Sequence, residues 1–185
     1  MQEKNYFEIL GIEEMLNLDT KALQKRFYDL SRKVHPDFHQ TSLEKDLSHD
    51  LSSALNNAFI TLKDREKRLH YTVELYLGPM QQADRKNAPK ELLIELMEMQ
   101  EKLMEFKHHQ SDALRTDIED ISRRLESKRN EFDAQLDGLM EKFDAETSRE
   151  MRNKIVTDIR EILLKKNYIR SLLVTIQNTL NPSEF

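Results

Sequence analysis

The 185-residue sequence has no cysteine, and it has only three glycines and four prolines. Without cysteine, the chain cannot form disulfide bonds, cysteine-ligated zinc sites or cysteine-ligated metal clusters. Glycine and proline supply many of the turns between β-strands, so their scarcity argues against a protein built from β-sheets. These absences favour a helical protein.

A basic excess and long apolar runs are also missing. The formal net charge of −5 argues against a general nucleic-acid-binding protein, which usually carries a marked basic excess. No apolar run approaches the roughly 18 residues needed to span a bilayer. The first residues, MQEKNYFEIL, lack both a secretory apolar region and an Arg/Ser-rich transit pattern. We therefore expect a soluble intracellular protein with no nucleic-acid or membrane partner.

The sequence is rich in charge and in helical periodicity. Charged residues make up 34% of the chain and apolar residues 38%, a mixture typical of long amphipathic helices. The composition and periodicity together predict an all-α fold.

Residues 1–77 predict a first domain of four short helices. The segment NYFEILGI ends at Gly11, and Asp19 or Thr20 can cap the second helix, which stops before Pro36. Its predicted buried face consists of Leu23, Phe27, Leu30 and Val34. A third helix from about Ser42 has a predicted core face of Leu47, Leu51, Ala54, Ala58 and Leu62. A fourth, over residues 65–77, has Leu69, Val73 and Tyr76 in phase.

Residues 78–88, which begin with Gly-Pro and have no helical period, predict a linker. From 89 to 185 the apolar spacing predicts a second domain of three long helices, separated by polar connections near 108–111 and 145–148. Short connections favour an antiparallel three-helix bundle. The alternative is one extended coiled coil that dimerises through the same apolar seams.

The segment KVHPDFH contains His35, Pro36 and Asp37 at the end of the second predicted helix. A His–Asp pair could act as a base and its orienting group, but no nucleophile is tied to it by spacing. The histidines that could join His35 as metal ligands match no compact ligand set; they are His39 and His49, with His108 and His109 as another pair. We therefore predict no catalytic residue and no metal site, which leaves a helix stop and turn or a partner-binding element.

The helix before His35 carries basic residues opposite its apolar side. We call this set the basic face; it consists of Lys21, Lys25, Arg26, Arg32 and Lys33. A basic surface that leads into an exposed turn could bind an acidic partner, because complementary charge speeds and orients encounter. The same residues could also form an ordinary solvated surface.

Taken together, NYFEILGI, the basic helix, His35-Pro36-Asp37, NNAFITLKD and REKRLHYTVELYLG resemble a J domain over residues 5–77. The resemblance implies four helices with an antiparallel helical hairpin. It also implies binding to a 70-kDa heat-shock-type chaperone and stimulation of that chaperone's ATPase. His35, Pro36 and Asp37 would form the activating motif, and the basic face would bind the chaperone.

A J domain followed by YTVELYLG, a linker and three helices resembles the HscB family of iron–sulfur cluster co-chaperones. The resemblance implies two partners, an HscA-like chaperone and an IscU-like iron–sulfur scaffold protein. It implies no cofactor and no enzymatic activity of the chain itself, and we expect a monomer. Because the sequence lacks the CxxC zinc module of some eukaryotic members, we expect the bacterial cytoplasm rather than the mitochondrial matrix.

The helix that begins near Lys90 has more apolar surface than one bundle seam needs. With Leu92 at zero on a helical wheel, Leu93, Met97 and Met104 fall at about 100–140°, and glutamates follow at about 180–240°. On the last helix, Leu164, Tyr168 and Leu172 lie away from the isoleucine heptads. These residues could form one binding surface, because large exposed apolar patches usually mark interaction sites; they could also pack on the middle helix or on the first domain.

The resemblance points to the same region. By motif match, the scaffold-binding residues would be Leu93, Ile94, Met97, Glu98, Glu101, Glu105 and Tyr168. Two other functions fit the same sequence: a J-domain protein with a different client on its bundle, or a structural coiled-coil protein in which His-Pro-Asp is only a turn.

Overall fold

A computed structural model describes residues 4–34, 42–79 and 92–181, with the backbone alone for 42–48. Helices are the regular structure of these ranges, and no β-strand occurs within them. The helices are α1 (Tyr6–Leu10), α2 (Thr20–Lys33), α3 (Ser42–Lys63), α4 (Arg65–Leu77), α5 (Leu93–His108), α6 (Asp112–Ala145) and α7 (Arg149–Leu180). The predicted all-α fold is confirmed.

The helix boundaries follow local capping signals. The side chain of Asn5 accepts a hydrogen bond from the Glu8 amide at 3.0 Å, and the Glu8 carboxylate accepts one from the Asn5 amide at 2.9 Å. This reciprocal pair caps the amides at the start of α1. Gly11 ends α1 in the left-handed region at φ 61°, a conformation that glycine adopts without steric cost. Asp19, one of the two predicted candidates, caps α2 by accepting from the Lys21 amide at 2.8 Å.

The chain forms two compact units, and they do not follow sequence order. The N-terminal unit contains residues 1–79 and 140–157, and the bundle unit contains residues 80–139 and 158–185. The turn between α6 and α7 therefore belongs with the N-terminal unit. The domain bounds drawn from the sequence, 1–77 and 89–185 with a linker at 78–88, stay a prediction.

In the N-terminal unit, α2 and α3 run antiparallel, and α1 and α4 pack against α3. The Ser52 hydroxyl donates to the Val34 carbonyl at 3.4 Å, which places the end of α2 beside the first half of α3. The rings of Phe27 and Phe59 stack at 4.3 Å across these two helices. One cluster of its buried core consists of Phe7, Leu10, Leu23, Leu55, Ala58 and Leu62.

One predicted core residue of α3 is exposed. Leu51 was expected on the buried face, but 56% of its surface is accessible. Leu55, one turn later, is buried instead. The hydrogen bond from Ser52 to Val34 shows that α2 ends at this level, so α2 does not continue past Leu51 to cover it.

Arg68 is the buried cation of the N-terminal unit. Its guanidinium donates to the carbonyl of Leu16 at 2.8 Å and to the carbonyl of Leu62. Burial lowers the pKa of this guanidinium below its ordinary value. Arg68 thereby joins the loop before α2 to the end of α3.

The α6–α7 turn contacts the same loop. The Asp144 carboxylate accepts hydrogen bonds from the amides of Leu16 and Asn17 at 2.5 and 2.8 Å. Arg149 lies over the ring of Tyr76 at 3.9 Å, and the hydroxyl of Tyr76 donates to Glu14 at 2.7 Å. Charged and aromatic contacts thus attach the turn to α4 and to the loop between α1 and α2.

The bundle unit is built from α5, most of α6 and most of α7. Lys102 and Asp117 pair at 2.8 Å, and Glu95 pairs with Lys128, so α5 and α6 are antiparallel. Lys166 of α7 pairs with Asp133 of α6 at 2.6 Å. The buried core between the helices consists of Leu92, Met99, Leu103, Phe106, Leu114, Ile118, Ile121, Leu125, Ile169, Leu172 and Ile176. The predicted three-helix bundle is confirmed, and the extended coiled coil is not the structure.

We expect Arg68→Met to lower the free energy of unfolding by about 2–4 kcal/mol, because the buried carbonyls of Leu16 and Leu62 lose their donor. Urea unfolding followed by circular dichroism measures this loss. Lys67→Met is the matched control, since Lys67 is exposed on the same helix. Equal stability of the two variants would show that the buried hydrogen bonds do not stabilise the unit.

Candidate functional site

The predicted activating motif falls outside the described residues. His35, Pro36 and Asp37 follow the last described residue of this segment, Val34, which is the C-cap of α2. The structure therefore places the helix that leads to the motif, and the role of the three residues stays a prediction.

The basic face of α2 lies on the surface of the N-terminal unit. Its five members are all exposed: Lys21, Lys25, Arg26, Arg32 and Lys33. Leu23, on the opposite side of the helix, is 3% exposed and belongs to the core. Among the described residues, no carboxylate forms an ion pair with any of the five cations. Arg26 differs from the other four because it donates hydrogen bonds to backbone carbonyls. The face is therefore accessible to an acidic partner.

Arg26 binds within its own unit. Its guanidinium donates to the carbonyls of Leu10 at 3.0 Å and of Gly11 at 3.4 Å. These carbonyls lie at the C-terminal end of α1, where a cation is favourable. Arg26 thus stabilises the α1–α2 packing, a contact that the sequence pattern did not predict.

Tyr28 is a residue of this surface that the sequence analysis missed. Its side chain is 53% exposed, and its hydroxyl accepts a hydrogen bond from Gln24 at 3.3 Å. On a helical wheel Tyr28 lies within about 20–60° of Lys21, Lys25 and Arg32. An exposed aromatic between cations is a signal that could have been found, since aromatic residues are enriched in binding hot spots.

The apolar face of α5 consists of Leu93, Ile94, Met97 and Met104, and all four residues are exposed. Ile94 is 77% accessible, Met97 70%, Met104 67% and Leu93 40%. The core residues of the same helix, including Met99 and Leu103, are nearly inaccessible. The predicted excess of apolar surface on this helix is therefore solvent-accessible in the structure.

The predicted acidic edge of α5 consists of Glu98, Glu101 and Glu105, and its members differ in their contacts. Glu101 and Glu105 are exposed. Glu98 pairs with Arg124 of α6 at 2.8 Å, so part of its charge is already compensated. The edge therefore offers two open carboxylates and one that a partner would share with Arg124.

On α7, the three predicted surface residues are not equivalent. Leu172 is 6% exposed and packs in the core of the bundle unit, so of the two possibilities left open by the sequence it packs within the protein. Leu164 and Tyr168 are half-buried, and burial raises the pKa of the Tyr168 hydroxyl. Leu172, a residue of α7, is buried because α5 lies beside α7 at this level and presents apolar side chains to it.

The ion pairs give the level of Tyr168 along the bundle. Lys166 pairs with Asp133 and Lys128 with Glu95. At a rise of about 1.5 Å per residue, these pairs place Tyr168 within about one helical turn of the level of Leu93. The aromatic residue and the start of the apolar face of α5 thus lie at the same end of the bundle unit.

Within the described ranges, no three His, Asp or Glu side chains are grouped so that they could hold a metal ion. No helix in the described part of the chain is long and apolar enough to cross a bilayer.

Residues 5–72 match the DnaJ domain family model. The iron–sulfur cluster co-chaperone protein HscB of Homo sapiens is 32% identical over 168 residues, which cover 88% of this chain and 69% of the human protein. The Mus musculus protein of the same name is 29% identical over 154 residues, with 82% and 63% covered. A co-chaperone protein HscB homolog of Shewanella halifaxensis is 32% identical over 106 residues, with 56% and 61% covered. The chain thus spans between 61% and 69% of the length of these relatives.

Two solved structures are also similar. The crystal structure of human co-chaperone protein HscB superposes with a TM-score of 0.57 at 28% identity, covering 92% of this chain and 82% of that one. Chaperone HscB from Vibrio cholerae superposes with a TM-score of 0.52 at 21% identity, covering 94% and 99%, and supports the fold alone.

The four-helix N-terminal unit and the match to the DnaJ domain define a J-domain protein. Within that class, the identity to the human co-chaperone extends through the three-helix bundle. The chain belongs to the HscB co-chaperone family, and the resemblance seen in its sequence is confirmed.

We expect Arg26→Ala to lower the free energy of unfolding by about 1 kcal/mol or more, because two carbonyls at the end of α1 lose a charged donor. Lys25→Ala, at the neighbouring position of the basic face, should change it by less than about 0.5 kcal/mol. Chemical denaturation of both variants provides the measurement. A loss no larger for Arg26→Ala than for Lys25→Ala would contradict the structural role of Arg26.

Proposed function

We propose that this protein is a co-chaperone of iron–sulfur cluster assembly that performs no chemistry of its own. It binds an iron–sulfur scaffold protein on its bundle unit, presents that protein to a 70-kDa heat-shock-type chaperone and stimulates the chaperone's ATPase. The observation that carries the proposal is the exposed apolar face of α5 with its acidic edge, on a chain of the HscB family.

The chaperone-binding end is the basic face of α2 with the motif that follows it. Four cations on one exposed helix surface attract an acidic surface and orient it before contact. Arg26 stands at the edge of this surface and is already engaged with α1. His35 would hydrogen-bond to the chaperone, Pro36 would hold the turn, and Asp37 would pair with a cation of the chaperone.

The scaffold-binding end is the apolar face of α5 with its acidic edge. Exposed apolar groups this concentrated are costly in water, and a partner that covers them gains about 25 cal/mol per Å² of buried apolar surface. Methionine suits such a surface because its side chain is unbranched and adapts to the partner. Glu101 and Glu105 would pair with basic residues of the scaffold protein and set its orientation, and Tyr168 would add an aromatic contact from α7.

The mechanism follows from joining two binding surfaces in one chain. A scaffold protein held on the bundle unit reaches an effective concentration at the bound chaperone of about millimolar. The motif then favours the hydrolysis-competent state of the chaperone, which closes on the scaffold protein. The chain acts as a monomer in this scheme, and we propose the bacterial cytoplasm as its location.

We expect Asp37→Asn and His35→Gln to abolish stimulation of the chaperone ATPase while leaving scaffold binding unchanged. The reason is that these changes remove the groups that contact the chaperone without altering the bundle unit. A coupled ATPase assay with the purified chaperone, with and without scaffold protein, measures the effect. Lys67→Ala is the control, because Lys67 lies on α4 and is not part of the basic face of α2. Full stimulation by either motif variant would rule out the proposed role of the motif.

We expect Leu93→Ala combined with Met97→Ala to weaken scaffold binding by about 30–100-fold, because two exposed apolar contacts are removed from the interface. Isothermal titration calorimetry against the purified iron–sulfur scaffold protein gives the dissociation constant. Circular dichroism and the basal ATPase stimulation without scaffold serve as controls for folding. Undiminished affinity would favour a J-domain protein whose client is a different protein.

A further inference from the structure

A groove runs between α5 and α7 beside the apolar face of α5. Its volume is about 290 Å³, and it lies within the bundle unit. Its apolar floor is formed by Leu96, Met99, Leu103 and Leu172, and exposed residues form its rim: Gln100, Met104, Lys107 and Thr175. The floor is therefore apolar, and a single charged residue stands on the rim.

Met104 connects this groove to the apolar face. It follows Met97 by seven residues, so the two side chains lie within about 20° of each other on the helix. Met97 is 70% exposed and Met104 67%, although both residues are apolar. Met97 and Met104 therefore lie two turns apart on the same side of α5, and Met104 also borders the groove.

The size of the groove indicates what it can accept. Its volume of about 290 Å³ is at or below the lower end of small-molecule pockets, which range over about 300–1,000 Å³. Openings of this size at a protein surface suit one or two apolar side chains of a protein partner. The side chains of Leu103 and Leu172, which are buried, and of Leu96, which is half-buried, supply dispersion contacts but no hydrogen-bonding group.

The charges around the groove define the orientation of that partner. Lys107 lies on the groove rim, whereas Glu101 and Glu105 lie on the opposite side of the apolar stripe. A partner segment with an apolar side chain in the groove and basic residues toward the glutamates pairs with the carboxylates and keeps its own cations away from Lys107. The reverse orientation brings basic residues against Lys107 and is disfavoured by like-charge repulsion.

We infer that the scaffold protein proposed above binds across Met97 and inserts an apolar side chain into the α5–α7 groove, with Met104 as the second anchor. The inference rests on the proposed function, since it names the scaffold protein as the occupant. It extends the binding surface beyond the residues matched to the family motif and makes Met104 and Thr175 determinants of affinity.

The test uses two variants of the full chain that affect the groove in opposite ways. Met104→Ala removes an anchor and should weaken scaffold binding about 5–10-fold. Thr175→Arg fills the groove and adds a cation beside Lys107, and it should weaken binding by about 10-fold or more. Met151→Ala is the matched control, because Met151 is an exposed methionine of the N-terminal unit. We expect this variant to bind the scaffold protein as tightly as the wild type does.

Calorimetric titration with the purified iron–sulfur scaffold protein, and thermal unfolding of each variant, give the readouts. Met97→Ala is included as the reference for the proposed function. If Met97→Ala weakens binding while Met104→Ala and Thr175→Arg bind like the wild type, the groove inference is overturned and the proposed function stands. If the wild type itself does not bind, the proposed function fails and the inference fails with it.

Discussion

A helix that packs against its neighbours buries one stripe of its surface and leaves the remainder to water or to another molecule. This constraint governs both units of the protein. On α2 the buried stripe is apolar and the free surface is basic, as a solvated or partner-binding face should be. On α5 the buried stripe is complete with residues such as Met99 and Leu103, yet a second row of apolar residues stays exposed. Water does not favour that second row, and this supports the proposal that a partner covers it.

The N-terminal unit depends on polar contacts as well as on its core. The loop between α1 and α2 has its carbonyl at Leu16 bound by Arg68 and its amides at Leu16 and Asn17 bound by Asp144. These contacts hold a segment without helical hydrogen bonds, where unpaired backbone groups would be costly. They also bring the α6–α7 turn into the N-terminal unit. The surface that carries the basic face thus belongs to a unit assembled from distant parts of the chain.

The two proposed binding surfaces belong to different units, and this separation shapes the proposed mechanism. The cations of α2 and the exposed residues of α5 belong to separate compact units, so we expect changes at one surface to leave the other intact. A co-chaperone needs this independence, because it holds one protein while it acts on another. The groove beside Met104 adds a shape requirement to the apolar face and would help the chain select its scaffold protein among other apolar surfaces.

Local signals in the sequence determined the helices, their caps and the three-helix bundle, because capping, proline placement and apolar spacing act over a few residues. Asp19, Gly11 and the isoleucine heptads of α7 are examples, and the residues that resemble the J domain identified the family. The tertiary structure decided which apolar residues are free: Leu172 is buried since α5 lies beside it, and Leu51 is exposed since α2 ends at its level. It also decided that Arg26 binds the end of α1 and that Asp144 binds a loop more than a hundred residues away. Such contacts depend on which elements become neighbours in space, and no spacing along the chain specifies that.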